Sequence, residues 1–325
     1  MVRVWNDLAG RRSITPGEQN MGRLDGRVAI VTGAGRGIGA AVAKQMAAEG
    51  AHIVVADLGV GLDGSGHDLT PARQVVDDIT GHGGAAVCCE TNVGDHSSAA
   101  SLVDFAIETF GRLDVLINAA GILRDRMIFN MSEEDWDSVI NVHLKGCFNT
   151  TKFASIYWRR LREGNYRLIN FTSIAGLNGN PTQPNYAAAK MGIVGLTMSC
   201  ANALGKYGVT ANCISPGAAT RMTESIPEEK LAQFYAETGR APSDDARRSP
   251  DSMAPALVYI ASESSGWLTG QIIGAQEYRV SLWSQPSIHR QIVSTTPWQL
   301  DDLFVQIPRA FQPTVEGKRR LDEAG

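Results

Sequence analysis

Two residues with complementary acid–base chemistry lie four positions apart in the segment NYAAAKMG, residues 185–192. On a helix this spacing puts Tyr186 and Lys190 on one face. A free phenol has a pKa near 10 and is a poor base, but a nearby ammonium group stabilises the phenolate. Ser173 ends an apolar run thirteen residues earlier, and Asn141 lies in VINVHLKGCF. Taken singly, these residues read as a solvated pair, a helix cap and an exposed amide; together they could move a proton to or from an alcohol oxygen.

A second set of residues is typical of nucleotide binding. The segment TGAGRGIG, residues 32–39, follows an apolar run and opens a helical pattern. Gly33, Gly37 and Gly39 supply a tight turn whose backbone amides can approach a pyrophosphate, and the helix N-terminus adds its positive dipole end. A plain strand–helix connection is the structural alternative. The position within a predicted βαβ unit favours the nucleotide interpretation.

Asp57 ends the apolar run in HIVVADLGVGLDGSGHD, residues 52–68, and lies 24 residues after Gly33. An acidic residue at this strand tip accepts hydrogen bonds from the adenosine ribose. A calcium loop is excluded because DGSGHD lacks the alternating ligands and the final glutamate. The loop after Gly59 is therefore predicted to be a surface excursion, and no residue of the chain is assigned to a metal.

The cofactor choice depends on two opposed charges. Arg36, inside the glycine turn, could pair with the 2′-phosphate of NADP, whereas Asp57 would repel that phosphate. At ~4 Å and an effective dielectric of ~20, each interaction amounts to roughly 4 kcal/mol. Asp57 is fixed at a strand end, while Arg36 can turn into solvent. The sequence therefore predicts NAD, with NADP as the less favoured cofactor.

Alternating apolar and helical patterns surround these motifs and set the fold class. Strands are predicted at 27–32, 52–57, 85–90, 113–118, 166–172, 209–214 and 270–274. Helices are predicted at 37–49, 71–80, 97–110, 132–163, 185–206 and 250–263. Near-continuous apolar strands separated by helices indicate an α/β protein of the Rossmann type, with a doubly wound, seven-stranded parallel sheet and helices on both faces.

Composition limits the possible partners and the compartment. The chain has 325 residues and a net charge of -4, which does not favour binding to nucleic acid. It has no run of ~18 apolar residues, so no membrane span is predicted. The five cysteines have no zinc-like spacing and are expected to be reduced thiols in the cytoplasm.

Three parts are predicted along the chain: a polar N-terminal arm (1–23), the nucleotide-binding domain (24–275) and an extension (276–325). The apolar extension is expected to pack on the domain or on a neighbouring subunit.

The motifs, in their order along the chain, resemble the short-chain dehydrogenase/reductase family. The resemblance covers residues 24 to about 275 and rests on TGAGRGIG, NAAG (118–121), Asn141, Ser173, the Tyr186–Lys190 pair and SPG (215–217). Within the family the chain is most similar to the (3R)-hydroxyacyl-CoA dehydrogenase modules of peroxisomal multifunctional enzymes. That similarity rests on ADLG with its glycine-rich insertion, on AGILRDR (120–126) and on TRMT (220–223).

The resemblance implies hydride transfer between a nicotinamide and a secondary alcohol or ketone. Tyr186 would be the acid/base with a pKa below that of free tyrosine, Lys190 would tune it and hold the nicotinamide ribose, and Ser173 would bind the substrate oxygen. Asn141 would support a proton-relaying water. The implied cofactor-binding residues are Gly33, Arg36, Gly37, Ile38, Gly39, Asp57, Asn92, Val93, Asn118, Ala119, Gly121, Tyr186, Lys190, Pro216, Gly217 and Thr220. The family usually has aspartate where this chain has Asn92, and the usual threonine offset after PG falls on Arg221, beside the chosen Thr220.

The implied substrate is a small molecule, first of all a (3R)-hydroxyacyl thioester. A hydroxysteroid is the alternative within the same chemistry. A protein that binds NAD as a redox sensor, without catalysis, is the alternative from another class, although such a sensor has no need of a tuned phenol. The resemblance also implies a homodimer or homotetramer.

Overall fold

The fold is built on one eight-stranded sheet. A computed structural model describes residues 22–162, 164–217 and 249–323, with side chains up to residue 315. The strands are β1 (Val28–Thr32), β2 (His52–Asp57), β3 (Ala85–Glu90), β4 (Val115–Asn118), β5 (Tyr166–Phe171), β6 (Val209–Gly217), β7 (Ile272–Gln276) and β8 (Arg279–Leu282). Their order is β3-β2-β1-β4-β5-β6-β7-β8, and the first seven are parallel. The predicted doubly wound parallel sheet is therefore confirmed.

The helices cover both faces of this sheet. They are α1 (Gly37–Ala48), α2 (Thr70–Gly81), α3 (His96–Phe110), α4 (Glu133–Ile140), α5 (Gly146–Leu161), α6 (Ile174–Asn178), α7 (Pro184–Leu204), α8 (Ala254–Ala261) and α9 (Leu300–Glu323). One apolar core joins α1, α2 and α8 to the sheet, and a second joins α3, α5 and the end of α7 to the other face. Strands β1, β4 and β5 are wholly buried because helices cover them from both sides.

The long helix predicted at 132–163 is interrupted. Its N-cap is Ser132, whose hydroxyl accepts a hydrogen bond from the Asp135 amide at 3.0 Å. After α4, residues Asn141–Lys145 form a π-helical turn, and α5 then continues the helix. An α-helical pattern of apolar residues does not reveal one widened turn, so the sequence predicted an unbroken helix. Such turns are rare and are often found at functional sites.

The C-terminal extension begins as part of the sheet. Strand β8 pairs antiparallel with β7 and adds an eighth strand that the sequence analysis did not predict. Trp283 then packs against a small apolar cluster around Ile193 and Ile272. Farther along, Leu300 and Phe304 of α9 are 70% and 74% exposed in the single chain. The first part of the extension, up to Trp283, therefore lies on the domain.

Helix α7 is apolar along most of its length. With the turn that follows it, Pro184–Tyr207 is the one helix of the described residues long and apolar enough, by length and composition, to cross a membrane. In this fold α7 packs against β5 and β6 and buries Ile193, Val194 and Thr197. It is thus a core helix that carries Tyr186 and Lys190 to one edge of the sheet.

Candidate active site

A cleft of about 620 Å³ lies beside the carboxyl ends of the parallel strands. The strand order reverses between β1 and β4, which is where open α/β sheets bind their ligands. Fourteen of the residues proposed from sequence border this one cleft: Gly33, Arg36, Gly37, Ile38, Gly39, Asp57, Asn92, Val93, Ala119, Gly121, Asn141, Tyr186, Lys190 and Pro216. The nucleotide motif and the acid–base pair therefore share a single cavity.

The glycine turn forms a cradle with no room for side chains. Gly33 and Gly37 have left-handed backbone conformations, with φ of 66° and 56°. A Cβ at Gly39 would lie 2.3 Å from the Gly33 carbonyl oxygen. Helix α1 starts at Gly37, so its N-terminal amides border the cleft. This cradle fits the diphosphate of a nicotinamide dinucleotide.

Asp57 is held rigidly at the end of β2. Its two carboxylate oxygens accept hydrogen bonds from the amides of Gly35 and Gly59, both at 2.8 Å. Arg36 points instead toward the following loop, where its guanidinium lies 3.4 Å from the Asp68 carboxylate and 3.5 Å from the Val60 carbonyl oxygen. The fixed carboxylate agrees with the expectation from sequence, whereas Arg36 contacts this loop instead of turning into solvent.

The loop after Gly59 is only partly the predicted surface excursion, because residues 63–68 are exposed but the loop also borders the cleft. Six residues between 58 and 64 border the cleft. The Leu123 amide donates a hydrogen bond to the Leu62 carbonyl oxygen at 2.9 Å, which ties this loop to the opposite wall. Val60 and Tyr186 both pack against the small apolar cluster that contains Ile122. Its apolar side chains Val60 and Leu62 are half-buried at the cleft instead of lying in solvent.

The turn after β3 also borders the cleft. The side-chain oxygen of Asn92 accepts from the Gly94 amide at 3.0 Å, and the Val93 carbonyl oxygen accepts from Asn149 at 2.9 Å. A Cβ at Gly94 would lie 2.3 Å from the Asn141 side-chain nitrogen. Asn141 therefore stands against this turn, at the first residue of the π-helical segment.

Two proposed cofactor-binding residues are placed differently, and a third lies outside the described residues. Asn118 is 4% exposed and lies behind the cleft, where it donates to the Asn170 side chain at 2.8 Å and accepts from Thr150 at 2.7 Å. A Cβ at Gly217 would lie 2.5 Å from Gln276, so this glycine faces β7. Thr220 lies outside the described residues. The geometry thus gives Asn118 a supporting position beneath the turn that follows β4.

The catalytic candidates converge at the other end of the cleft. The Ser173 hydroxyl acts on the Tyr186 phenol and lowers its pKa. Lys190 places its Nζ 5.4 Å from the centroid of the Tyr186 ring. That ammonium donates to the Phe171 carbonyl oxygen at 2.8 Å, so the end of β5 fixes its direction. The end of β5, the start of α6 and helix α7 thus bring the Ser173 hydroxyl, the Tyr186 phenol and the Lys190 amine close together.

The acid–base groups have pKa values moved by burial. Burial raises the pKa of Tyr186 to about 12, against the opposing effect of the Ser173 hydrogen bond. Burial also lowers the pKa of Lys190 to about 8. The sequence analysis expected a phenol pKa below that of free tyrosine. In the protein alone the loss of solvation outweighs the stabilising neighbours, so the expected lowering is absent.

Two residues that the sequence analysis left without a role support this end of the site. Asn185 donates to the carbonyl oxygens of Arg124 and Asp135, at 3.1 and 2.9 Å, and accepts from the Tyr186 amide at 2.7 Å. It thereby locks the start of α7 to the cleft wall. His143 is 1% exposed and meets the Tyr186 ring edge-on. Its place two residues after Asn141 in the sequence was the only signal available.

Comparison with known proteins agrees with this geometry. The short chain dehydrogenase family model matches residues 27–231. Hydroxyacyl-CoA dehydrogenase ChsB1 of Mycobacterium tuberculosis is 39% identical over 312 residues, which are 91% of this chain and 92% of that protein. Peroxisomal hydratase-dehydrogenase-epimerase of Neurospora crassa is 44% identical over 211 residues, but the match spans only 23% of that longer protein.

A solved structure is also similar over most of its length. The crystal structure of a short chain dehydrogenase from Mycobacterium avium shares 44% sequence identity and superposes with a TM-score of 0.78. The similarity covers 90% of this chain and 96% of that one. The chain therefore belongs to the short chain dehydrogenase family, and it is an oxidoreductase that uses a nicotinamide cofactor.

Proposed function

We propose that the protein is an NAD-dependent dehydrogenase that interconverts a (3R)-hydroxyacyl thioester and the corresponding 3-oxoacyl thioester. The observation that carries this proposal is the single cleft that joins the glycine cradle and Asp57 to the Tyr186–Lys190 pair. The substrate class is supported by relatives whose names include hydroxyacyl-CoA dehydrogenase and peroxisomal hydratase-dehydrogenase-epimerase.

The chemistry divides between the cofactor and the protein. A bound oxidised nicotinamide would supply the acceptor for the hydride that leaves the carbinol carbon of the substrate. Tyr186, as phenolate, takes the proton of the substrate hydroxyl, and Ser173 donates a hydrogen bond to the oxygen that becomes the carbonyl. Lys190 stabilises the phenolate by its charge. In the reverse direction Tyr186 returns the proton to the carbonyl oxygen.

NAD is proposed over NADP because of charge at the ribose end. Asp57 is fixed by two backbone amides and presents a negative charge where the 2′-phosphate of NADP would lie. Arg36, the cation that could offset this charge, is engaged by the loop residues Val60 and Asp68. Isothermal titration is expected to show NADH binding at least about tenfold tighter than NADPH, a difference of about 1.4 kcal/mol. Tighter binding of NADPH would contradict the assignment.

The reaction is tested with Tyr186→Phe, which removes only the hydroxyl. Turnover of (3R)-hydroxyacyl-CoA is expected to fall by ~10²–10⁴, the usual contribution of a general acid/base. NADH binding should stay near normal, since the ring remains in place. Tyr207→Phe is the matched control: this residue also lies under a lysine, Lys206 at 5.2 Å, but does not border the cleft.

A substrate panel separates the alternatives. NADH absorbance is followed with (3R)- and (3S)-hydroxyacyl-CoA of several chain lengths and with hydroxysteroids. Preference for the (3R)-thioesters supports the proposal, and preference for a steroid assigns the alternative substrate. Full activity of Tyr186→Phe would overturn the proposed mechanism for every substrate.

Association and compartment belong to the same proposal. We propose a homodimer or homotetramer because apolar side chains of the extension, such as Leu300 and Phe304, are exposed in the single chain. All five cysteines are free thiols, which supports a reducing, cytoplasmic location. Sedimentation of the purified protein measures the first, and fractionation of cells measures the second.

A further inference from the structure

His143 is a buried polar side chain of the cleft that the proposed reaction does not use. It lies in the π-helical turn Asn141–Lys145, is 1% exposed and borders the cavity beside Tyr186. A polar ring is costly to bury unless its hydrogen bonds are satisfied. Its contacts therefore show what the ring does there.

One ring nitrogen is bound to the wall of the cleft. The His143 Nε2 atom lies 2.8 Å from the Ile122 carbonyl oxygen and 3.2 Å from the Ile122 amide nitrogen. A ring nitrogen either carries a proton and donates or lacks one and accepts. The shorter contact to the oxygen favours a protonated Nε2, which donates to Ile122. In the described part of the chain Nδ1 has no hydrogen-bond partner, so this second nitrogen is an unsatisfied acceptor of the neutral ring.

The remaining surface of the ring is enclosed on two sides. A Cβ at Gly121 would lie 2.3 Å from the His143 Cε1 atom, so this glycine provides the space that the ring fills. On another side the ring meets Tyr186 at 90°, with the ring centroids 5.0 Å apart. Such edge-to-face contacts favour one relative orientation of the two rings. His143 is thus wedged between the Gly121–Ile122 wall and the phenol ring.

The ring is also neutral, which matters because Lys190 is close. Burial lowers the pKa of His143 well below its usual value, and the charge of Lys190 acts in the same direction. A neutral imidazole leaves the Lys190 ammonium as the cation beside Tyr186. The neutral imidazole can hold the phenol in position without adding a second positive charge next to it.

We propose that His143 is a positioning residue, which fixes the Tyr186 ring against the cleft wall through its hydrogen bond to Ile122 and its fit over Gly121. This inference rests on the proposed role of Tyr186 as the acid/base. His143 itself transfers no proton.

The test compares two replacements of the ring. His143→Gln keeps a side-chain N–H that can donate to the Ile122 carbonyl oxygen, whereas His143→Leu keeps bulk and loses that bond. A phenol misplaced by about 1 Å can cost up to ~10²-fold in rate, so His143→Leu is expected to lower kcat by roughly 10- to 100-fold. His143→Gln should keep kcat within about threefold of the wild-type value. The NADH dissociation constant should change little in either variant, because the glycine cradle and Asp57 are untouched.

The outcomes are distinct. Wild-type kcat in His143→Leu, or equal losses in the Leu and Gln variants, overturns the positioning role. A large loss of NADH binding together with kcat would show a general structural role instead and also overturns it. Tyr186→Phe is measured in parallel, and if this variant stays active the proposed function is wrong. If Tyr186→Phe is inactive while His143→Leu is fully active, only the positioning role of His143 is wrong.

A second comparison applies if His143→Leu does not fold. Gly121→Ala should lower kcat, because the added methyl group displaces the imidazole ring. In a His143→Ala background the methyl group has room, so the same change should have a smaller effect. Contacting residues give such non-additive results. Equal effects of Gly121→Ala in the two backgrounds would show that this contact does not position the phenol.

Discussion

Replacing Lys190 by methionine tests the electrostatics of the site most directly. Lys190 is 4% exposed, and its Nζ lies 5.4 Å from the centroid of the Tyr186 ring. At that separation and an effective dielectric of ~20, the ammonium favours the phenolate by about 3 kcal/mol, a factor of more than 100 in its population. Methionine keeps most of the side-chain volume and removes this charge.

The expected pH profile follows from the coupling of the two groups. Burial sets the pKa of Lys190 to about 8 and that of Tyr186 to about 12, so the pair loses its first proton near pH 8. The singly deprotonated pair is either amine with phenol or ammonium with phenolate. These two forms hold equal numbers of protons, so their ratio is independent of pH. Phenolate, and with it alcohol oxidation, therefore rises through about pH 8 and then levels off.

The variant should behave differently in both rate and pH dependence. Without the ammonium, phenolate accumulates only as the pH approaches the Tyr186 value of about 12. Oxidation at pH 7 is therefore expected to fall by about 100-fold, and its rate should keep rising to the highest accessible pH. The positive charge of a bound, oxidised nicotinamide would move the pH–rate profiles of both proteins toward lower pH. The wild-type rate would still rise at a lower pH than the Lys190→Met rate.

The assay is steady-state alcohol oxidation from about pH 6 to about pH 10 at saturating NAD, followed by NADH absorbance. Saturation is needed because Lys190→Met is also expected to weaken cofactor binding. Lys206→Met is the matched control: Lys206 lies 5.2 Å over the Tyr207 ring, is exposed and does not border the cleft. A Lys190→Met profile that coincides with the wild-type profile would refute this reasoning. A wild-type rate that begins to rise only above about pH 10 would do the same.

Other changes test other parts of the fold. Asp68→Asn should free Arg36 from its contact at 3.4 Å and tighten NADPH binding by a few fold in isothermal titration; no change would show that this pair does not restrain the guanidinium. Trp158→Ala removes a fully buried ring and should lower the free energy of unfolding by ~3–5 kcal/mol in urea titrations, against less than ~1 kcal/mol for the exposed Trp267→Ala. Truncation after Trp283 keeps β8 and should leave the melting temperature within a few degrees, while sedimentation shows smaller assemblies; unchanged assemblies would exclude a role of the removed segment in association.

The site could be predicted from sequence where its residues are fixed by a regular element. Helical spacing put Tyr186 and Lys190 on one face, and α7 does place them together. The glycine turn and Asp57 each follow a buried strand, and parallel strands bring their carboxyl ends to the same edge. In these cases local periodicity already determines the geometry.

Other features depend on contacts between distant segments. The loop at 58–64 enters the cleft because Leu62 pairs with Leu123, which its glycine-rich sequence does not indicate. Strand β8 is four residues long and wholly exposed, so its sequence has no buried pattern of its own. It is a strand because it pairs with the edge of β7. His143 was one of six scattered histidines until the fold placed it between Ile122 and Tyr186. Each of these outcomes required knowledge of the partner segment.

The π-helical turn makes the site sensitive to a change of chain length by a single residue. A π turn holds one residue more than a regular α turn, so deleting one residue within Asn141–Lys145 would let α4 run smoothly into α5. The regular helix would gain better hydrogen-bond geometry, and α4 and α5 would keep roughly their places, because the wide turn had absorbed the extra residue. The side chains within the turn would instead be redirected. Asn141 and His143 could then no longer face Gly94 and Gly121 together. A shorter chain of this kind would be a more regular helix and a poorer enzyme, which means that the irregular hydrogen bonding of this turn is retained for the site and not for the fold.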